Sequence, residues 1–196
     1  MPDYLLDNGV FYCAHISPED SRDIADFTVG APEGMGLVNY IQRSALQDEN
    51  AGRMRTYIVR DNLTGELVGY FSLKAGLISY EERRFLWNTD FDTIPGIEIA
   101  DFAVNGRYIQ AHPKSKETGF VIFNTFIKPV IEKAAEYVGA EIIYIFALPY
   151  PKLLLQYQER YGFRRLPRKS EARLHRRIKP RYDEGCVFMF QPIKLN

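Results

Sequence analysis

Apolar residues recur at two spacings along the chain, and these spacings predict an alternation of strands and helices. Residues 55–75 form two β-rich runs around a turn at Asn62–Gly65, which predicts a hairpin. Residues 97–104 and 141–148 are dense in β-favourable side chains and predict buried strands. Between the hairpin and the first of these strands, residues 76–93 have no clear period and predict no element.

Helical patterns flank these strands. Gly119–Val138 carries apolar residues every three or four positions, and Pro129 inside it predicts a kink because proline lacks the N–H donor. Ser17 before a proline and an acid predicts a helix start, and residues 37–46 predict a second helix. Residues 152–161 predict a last helix, and a final strand is expected in the apolar run CVFMFQPI.

The order of these elements predicts the fold class. Strand 97–104, a polar loop over residues 107–118, a helix and strand 141–148 follow one another. A right-handed crossover of this kind makes the two strands near neighbours in a mostly parallel region. The sequence therefore predicts an α/β (α+β) protein with a mixed central sheet flanked by helices. At 196 residues, one domain over residues 1–196 is expected.

Composition limits the classes of protein that this chain can belong to. A charged share of 26% and a hydrophobic share of 46% are those of a globular protein. The start of the chain lacks a signal-peptide pattern, and no apolar run is long enough for a membrane span, so a cytoplasmic protein without membrane contact is predicted. Cys13 and Cys186 have no metal-type spacing and are predicted to be buried thiols.

Charge is balanced overall but concentrated in one segment. The formal net charge is zero, which argues against a general nucleic-acid coat. The segment Arg164–Arg181 nevertheless holds nine basic residues and one acid, Glu171. It is a solvated loop, a binding surface for an acidic substrate, or a surface that follows nucleic-acid phosphates. The histidines His15, His112 and His175 are scattered, and no metal site is predicted.

The elements between residues 55 and 166 together resemble the core of the GNAT acetyltransferases. The resemblance lies in the hairpin, the strand IEIADFAVN, the helix GFVIFNTF, the strand IIYIFAL and the run LLLQYQERYGF. It implies that the fourth and fifth strands of the sheet splay apart. It also implies that acetyl-CoA is the co-substrate, with its pantetheine arm on the backbone of Phe102, Ala103 and Val104.

In this family the loop after the fourth strand, of form [QR]-x-x-G-x-[GA], holds the pyrophosphate with backbone N–H groups at a helix start. In the best register Lys114 takes the Gln/Arg position and Gly119 takes the final glycine position. Glu117 then stands where the family has its other glycine, which is a departure from the pattern. The phosphate contacts that the resemblance implies are Lys114, Ser115, Lys116, Thr118 and Gly119.

Two catalytic residues follow from the same resemblance. Glu98 and Asp101 lie in the strand and face opposite sides of it. Glu98 is predicted to be the general base for the attacking amine. The family's acid is a tyrosine four residues before a glycine, where this chain has Gln158, so the neighbouring Tyr157 is the candidate acid.

Three functions remain open on the sequence. The first is transfer of an acetyl group from acetyl-CoA to a primary amine of a small molecule or peptide. The second is a non-catalytic module that binds acyl-CoA or a protein partner, because Glu117 and Gln158 both depart from the family pattern. The third is an acetyltransferase directed at tRNA through Arg164–Arg181, as in some toxins of this family. A homodimer is possible.

Overall fold

A mixed sheet of eight strands organises the chain, with strand order β1, β2, β3, β4, β5, β6, β8, β7. The computed structural model describes residues 5–85, 88–115, 117–177 and 185–194. Its strands are β1 (Leu6–Asp7), β2 (Phe11–His15), β3 (Arg55–Asp61), β4 (Leu67–Phe85), β5 (Asn88–Val104), β6 (Ile142–Ala147), β7 (Arg164–Arg165) and β8 (Val187–Pro192). Its helices are α1 (Ser21–Ala25), α2 (Met35–Arg43), α3 (Ala45–Asn50), α4 (Gly106–Ala111), α5 (Thr118–Ile122), α6 (Lys128–Tyr137), α7 (Pro151–Glu159) and α8 (Arg168–Arg177).

The chain forms two compact units. The first is Met1–Lys74 with Ile99–Val130, and the second is Ala75–Glu98 with Ile131–Asn196. Strands β4 and β5 each contribute to both units. The single domain expected from chain length stays a prediction.

In the first unit, β1 to β4 form an antiparallel series that begins the sheet. The predicted hairpin is confirmed as β3 and β4. Its turn is held by Asp61, whose Oδ1 accepts the backbone N–H groups of Leu63 and Thr64 at 2.8 and 3.0 Å. Gly65 completes the turn at φ +72°, a left-handed conformation that glycine adopts without steric cost. The helices predicted after Ser17 and over residues 37–46 correspond to α1 and α2, and one face of the sheet packs on α2 through Ile58, Tyr70 and Ala103.

In the second unit, the strands from β5 to β7 form the other end of the sheet. Three parallel pairs join β5 to β6: Gly96 with Ile142, Ile97 with Ile143, and Glu98 with Tyr144. Strand β8 is antiparallel to β6 over its whole length and also pairs with β7. The parallel pair and the closing strand predicted from the sequence are confirmed. A core of Ile78, Ile142, Tyr144, Leu174 and Phe188 lies on one face.

The long helical segment predicted from Gly119 begins one residue earlier, at Thr118, and runs through α5 and α6 with an intervening π-helical turn at Phe123–Ile127. The turn precedes Pro129, which cannot donate to a carbonyl four residues back and whose ring would clash there. Widening the helix by one residue removes that conflict, and the Lys128 N–H bonds Phe123 O, five residues back. Most of the predicted apolar face is buried, but Val138, which the structure places just after the end of α6, is 59% exposed.

The structure corrects or completes the sequence-based interpretation at three places. The polar loop expected over residues 107–118 contains helix α4, because the Asn105 side chain accepts the Arg107 N–H and so starts a helix before the loop. The unassigned residues 76–93 belong to the long strands β4 and β5, apart from positions outside the described residues. The basic segment contains the helix α8.

The structure bears on two expectations from the composition: the state of the two cysteines and the presence of membrane-spanning helices. Cys13 and Cys186 are buried, as predicted. Burial raises the pKa of the Cys13 thiol to about 12, so this thiol is protonated and unreactive at neutral pH. Within the described part of the chain, every helix is too short or too polar to cross a membrane.

Candidate active site

Strand β5 carries four of the residues that the sequence predicts for the site. Ala103 is buried in the core of the first unit, while Phe102 and Val104 are half-buried. The end of β5 lies tightly against β4 at Gly69. A side chain at Gly69 would stand 2.6 Å from the carbonyl oxygen of Ala103, so a glycine is required for the two backbones to approach. This close packing fixes the backbone of residues 102–104, which lies beyond the parallel ladder.

Glu98 is a buried carboxylate, 5% exposed, and it is bonded to a tyrosine. The hydroxyl of Tyr144, its partner in the parallel ladder, donates to Glu98 Oε2 at 3.1 Å. Burial raises the pKa of Tyr144, and the charge and hydrogen bond of Glu98 raise it further. The phenol is therefore a neutral donor at physiological pH, and the carboxylate is held as an acceptor.

The Tyr144 hydroxyl has room for this bond only because Gly76 lies beside it. Any side chain at Gly76 would overlap the hydroxyl oxygen and the ring carbon that carries it. The ring itself packs edge-on against Phe146 and lies tilted beside Phe188. Tyr144 is thus fixed by its surroundings on β4, β6 and β8. Sequence reasoning missed this residue, since the register of two parallel strands is not visible in either strand alone.

Asp101 lies in a different environment from Glu98. It is half-exposed, and its charge adds to burial in raising the pKa of Tyr70, which lies well above its usual value. Tyr70 belongs to the core under α2, and its hydroxyl donates to the carbonyl of Leu37 at 2.7 Å. The two carboxylates therefore have separate tyrosine neighbours, in agreement with the strand alternation that predicts opposite faces.

The predicted phosphate loop connects α4 to α5. The Ser115 N–H bonds the His112 carbonyl at 2.9 Å, and the N–H and hydroxyl of the buried Thr118 bond the Ser115 carbonyl at 3.3 and 2.7 Å. Lys114 and Glu117 are exposed, and Glu117 is the N-cap residue of α5. Lys116 lies outside the described residues, and Gly119 is half-buried in the first turn of α5.

The loop is anchored at its first residue, His112. Its Nε2 lies 2.9 Å from Glu66 Oε2, and its ring stacks on Tyr108 with centroids 4.3 Å apart. These contacts tie the loop to α4 and to the hairpin of the first unit. Lys114 is left as a surface cation two residues further along.

Tyr157, the candidate acid, lies in an aromatic cluster with Tyr161 and Phe163, at centroid distances of 5.3 and 5.5 Å. Burial raises its pKa, so its hydroxyl is protonated at neutral pH. Its carbonyl accepts the Phe163 N–H, in a turn that Gly162 makes possible at φ +77°. Gln158, at the family's tyrosine position, is exposed. The structure thus places Tyr157 in a packed cluster and Gln158 at the surface.

The basic segment predicted from Arg164 is an exposed helix tied to the sheet along one side. Leu174 of α8 is buried in the second unit's core, and His175 Nε2 accepts the Phe188 N–H at 3.2 Å. Arg165 pairs with Glu171 through two hydrogen bonds of 3.0 and 2.6 Å. Among the described side chains of α8, the exposed basic ones are Arg168, Lys169, Arg173 and Arg176.

Comparison with known proteins connects this chain to a group of solved structures. No protein-family model and no curated protein matches the chain. A mutant of the toxin AtaT, bound to acetyl-CoA and the C-terminus of the antitoxin AtaR, superposes with a TM-score of 0.64 and 17% identity over 93% of each chain. A mutant of KacT superposes with a TM-score of 0.65 and 17% sequence identity, over 94% of this chain and 95% of its own.

A third structure, AtaT complexed with acetyl-methionyl-tRNAfMet, gives a TM-score of 0.63 and 17% identity over 93% of this chain and 94% of its own. At these identities the likeness concerns the fold. The chain therefore has the fold of AtaT and KacT, and the GNAT-like mixed sheet flanked by helices that the sequence predicts is confirmed.

Proposed function

We propose that the protein is an acetyltransferase that moves an acetyl group from acetyl-CoA to a primary amine. The observation that carries this proposal is the short parallel ladder of β5 and β6, which ends at Glu98 and Tyr144 while β5 continues to Val104. The resemblance implies that strand backbone beyond such a ladder receives pantetheine. A structure of the same fold, that of AtaT, has been solved with acetyl-CoA.

The donor contacts follow from the placement of the strand end and the loop after α4. Backbone groups of Phe102, Ala103 and Val104 would pair with pantetheine. The pyrophosphate would lie at the start of α5, because the N–H groups and partial positive charge at a helix start attract anions. Exposed Lys114 adds positive charge there, and Glu117, which stands in place of the family's glycine, is also exposed. The phosphate contacts proposed are Lys114, Ser115, Lys116, Thr118 and Gly119.

Glu98 is the proposed general base. It takes a proton from the attacking amine while the new carbon–nitrogen bond forms and the carbon–sulfur bond of the thioester breaks. Backbone N–H groups of β5 stabilise the oxyanion, and a protonated tyrosine returns a proton to the departing thiolate. Tyr157 is the proposed donor of that proton, because burial keeps its hydroxyl protonated.

Among the possible acceptors, we favour the α-amino group of an aminoacyl-tRNA. Two observations support this choice over a free small amine. Helix α8 presents exposed basic side chains that suit a phosphate backbone. AtaT, which has the same fold, has been solved with acetyl-methionyl-tRNAfMet.

Calorimetric titration of the full chain with acetyl-CoA tests the donor site. Gly119→Trp should abolish binding, because an indole in the first turn of α5 fills the space of the phosphates. The matched control is Gly139→Trp, since Gly139 is exposed and has no atoms near its Cβ position. We expect the control to bind acetyl-CoA as the wild type does.

Two outcomes would count against the proposal. If the wild type does not bind acetyl-CoA, acetyl-CoA is not the acetyl donor. If Gly119→Trp binds acetyl-CoA as tightly as the wild type, the phosphate site is not at the start of α5. Binding without acetyl transfer to aminoacyl-tRNA or to a panel of free amines would favour a non-catalytic acyl-CoA-binding module.

A further inference from the structure

Helix α8 and one face of the sheet enclose a cavity within the second unit. Its volume is about 300 Å³, at the lower end of the range of small-molecule sites. Strands β4, β5, β6 and β8 form the floor, and α8 with the segment before it forms one wall. The lining residues are Ile78, Ser79, Ile94, Ile142, Leu166, Ser170, Arg173, Leu174, Phe188 and Phe190.

The floor of this cavity is apolar and rigid. Ile78, Ile142 and Phe188 are all less than 9% exposed, and Phe188 stacks with Phe190 at 6.0 Å. The bond from the Phe188 N–H to His175 fixes α8 over the strands. The apolar floor is therefore formed before any ligand binds, which lowers the entropic cost of binding an apolar group.

Among the described lining residues, those on one side of the cavity are polar, and one of them, Arg173, is a cation. Ser170 and Arg173 reach it from α8, and Ser79 reaches it from β4. Arg173 has no ion pair with any residue that the structure describes, whereas Arg165 nearby is paired with Glu171. A guanidinium beside two hydroxyl groups provides several hydrogen-bond donors for a carboxylate.

We propose that this cavity binds a small amphipathic carboxylate, with its aliphatic chain or single ring against Ile142 and Phe188 and its carboxylate on Arg173. The apolar floor, the small volume and the Arg173 guanidinium at the polar side define this class of ligand. The site is independent of the proposed acetyl transfer, and a binding assay without acetyl-CoA tests it.

Octanoate and octylamine are the probes, because they share a chain and differ in the charge of the head group. In calorimetric titrations of the full chain, octanoate should bind at least about tenfold more tightly than octylamine. Arg173→Gln should weaken octanoate binding about tenfold and remove the preference for it. The matched control is Arg176→Gln, on the same helix, whose guanidinium bonds the Ala172 carbonyl outside the cavity.

A second variant tests the apolar part of the site. Leu166 is half-buried at the cavity wall, and Leu166→Trp should block octanoate while the circular dichroism spectrum stays unchanged. The proposal fails if octanoate shows no binding at millimolar concentration or if octylamine binds equally well. It also fails if Arg173→Gln and Arg176→Gln weaken octanoate binding to the same extent.

Discussion

The Tyr144 hydroxyl donates to Glu98 at 3.1 Å, and both side chains are buried. A buried carboxylate is costly unless it accepts hydrogen bonds, so this bond offsets part of the cost of burying Glu98. It also fixes the direction of the carboxylate. If Glu98 is the base, Tyr144 is a positioning residue, because it acts on the reaction through Glu98.

Two substitutions separate these roles. Glu98→Gln should lower kcat for acetyl transfer by about 10²–10⁴-fold, the usual contribution of a general base. Tyr144→Phe should lower kcat by about tenfold and leave the KM for acetyl-CoA unchanged, since only the orientation of the base is lost. Steady-state kinetics with both variants is the measurement.

The control for Tyr144→Phe is Tyr57→Phe, which removes the hydroxyl of another buried tyrosine, on β3 of the first unit and 7% exposed. A comparable fall in kcat for both variants would contradict a specific role for Tyr144. Full activity of Glu98→Gln would exclude Glu98 as the base.

For single residues, the sequence predicts the face of a strand on which a side chain lies better than it predicts the residue that this side chain contacts. Strand alternation is enough to place Glu98 and Asp101 on opposite faces. It does not reveal Tyr144, because the offset between two parallel strands is set by the crossover that joins them. Nor does it reveal the cluster around Tyr157, since Phe163 reaches that tyrosine only through the left-handed turn at Gly162.

Among the elements, helix α8 has the most direct bearing on the acceptor. Its exposed basic side chains are held at one end by the Arg165–Glu171 pair and along its length by Leu174. Because a helix fixes the spacing of these charges, they form a pattern that can match successive phosphates. A mobile loop of the same composition would lose more conformational entropy on binding.

Charge removal on this helix tests the contact with RNA. The triple variant Arg168→Gln, Lys169→Gln, Arg176→Gln should weaken tRNA binding and reduce the slope of log affinity against log salt by about one per lost phosphate contact. Binding of acetyl-CoA should be unchanged. Filter binding across a salt series is the measurement, with acetyl transfer to aminoacyl-tRNA measured in parallel.

A control triple variant, Arg22→Gln, Arg43→Gln, Arg53→Gln, removes the same charge from exposed positions in the first unit. If both triple variants lose tRNA binding equally, the contact reflects net charge and α8 has no specific role. If neither loses it while acetyl-CoA still binds, a small-molecule or peptide amine becomes the favoured acceptor.

The elements themselves differ in how clearly the sequence marks them. The hairpin, β6 and the α5–α6 segment follow from periodicity and turn residues. Helix α4 does not follow from them, because an asparagine before a glycine is compatible with a turn as well as with a helix cap. Only the hydrogen bond from the Arg107 N–H to the Asn105 side chain shows that a helix begins there. Helix α8 has one buried apolar residue, Leu174, too few to give a helical period.

At the scale of the whole molecule, stability depends on carboxylates that join distant parts of the chain. The Tyr108 hydroxyl of α4 donates to Asp61 Oδ2 at 2.7 Å, at the end of β3. Slight burial favours the neutral acid, but hydrogen bonds from Tyr108 and from the Thr64 and Leu63 amides outweigh it and lower the pKa of Asp61. Hydrogen bonds from His112 and Thr64 likewise lower the pKa of Glu66.

These lowered pKa values predict acid destabilisation. A carboxyl group whose pKa is lower in the folded state stabilises the fold above its unfolded pKa, and this stabilisation is lost as the pH falls through the folded value. The free energy of unfolding should therefore fall between pH 6 and pH 3. Tyr108→Phe should reduce the contribution of Asp61 by roughly 0.5–1 kcal/mol at neutral pH, since solvent screens the pair.

Urea denaturation followed by circular dichroism at several pH values measures this effect. The control Tyr150→Phe removes a hydroxyl from a tyrosine that is 41% exposed, and its stability should follow the pH dependence of the wild type. A pH dependence in Tyr108→Phe as large as in the wild type would refute the role of the Asp61 bond.

The π-helical turn at Phe123–Ile127 has a consequence for comparing this chain with other sequences. The turn adds one residue to the helix, while the same face of the helix points to the core before and after it. A relative with an ordinary α-helix at this place would have one residue fewer there, and no need to accommodate Pro129. An alignment of the two without a gap inside the helix would shift every residue on one side of the turn by one position, pairing buried positions with exposed ones.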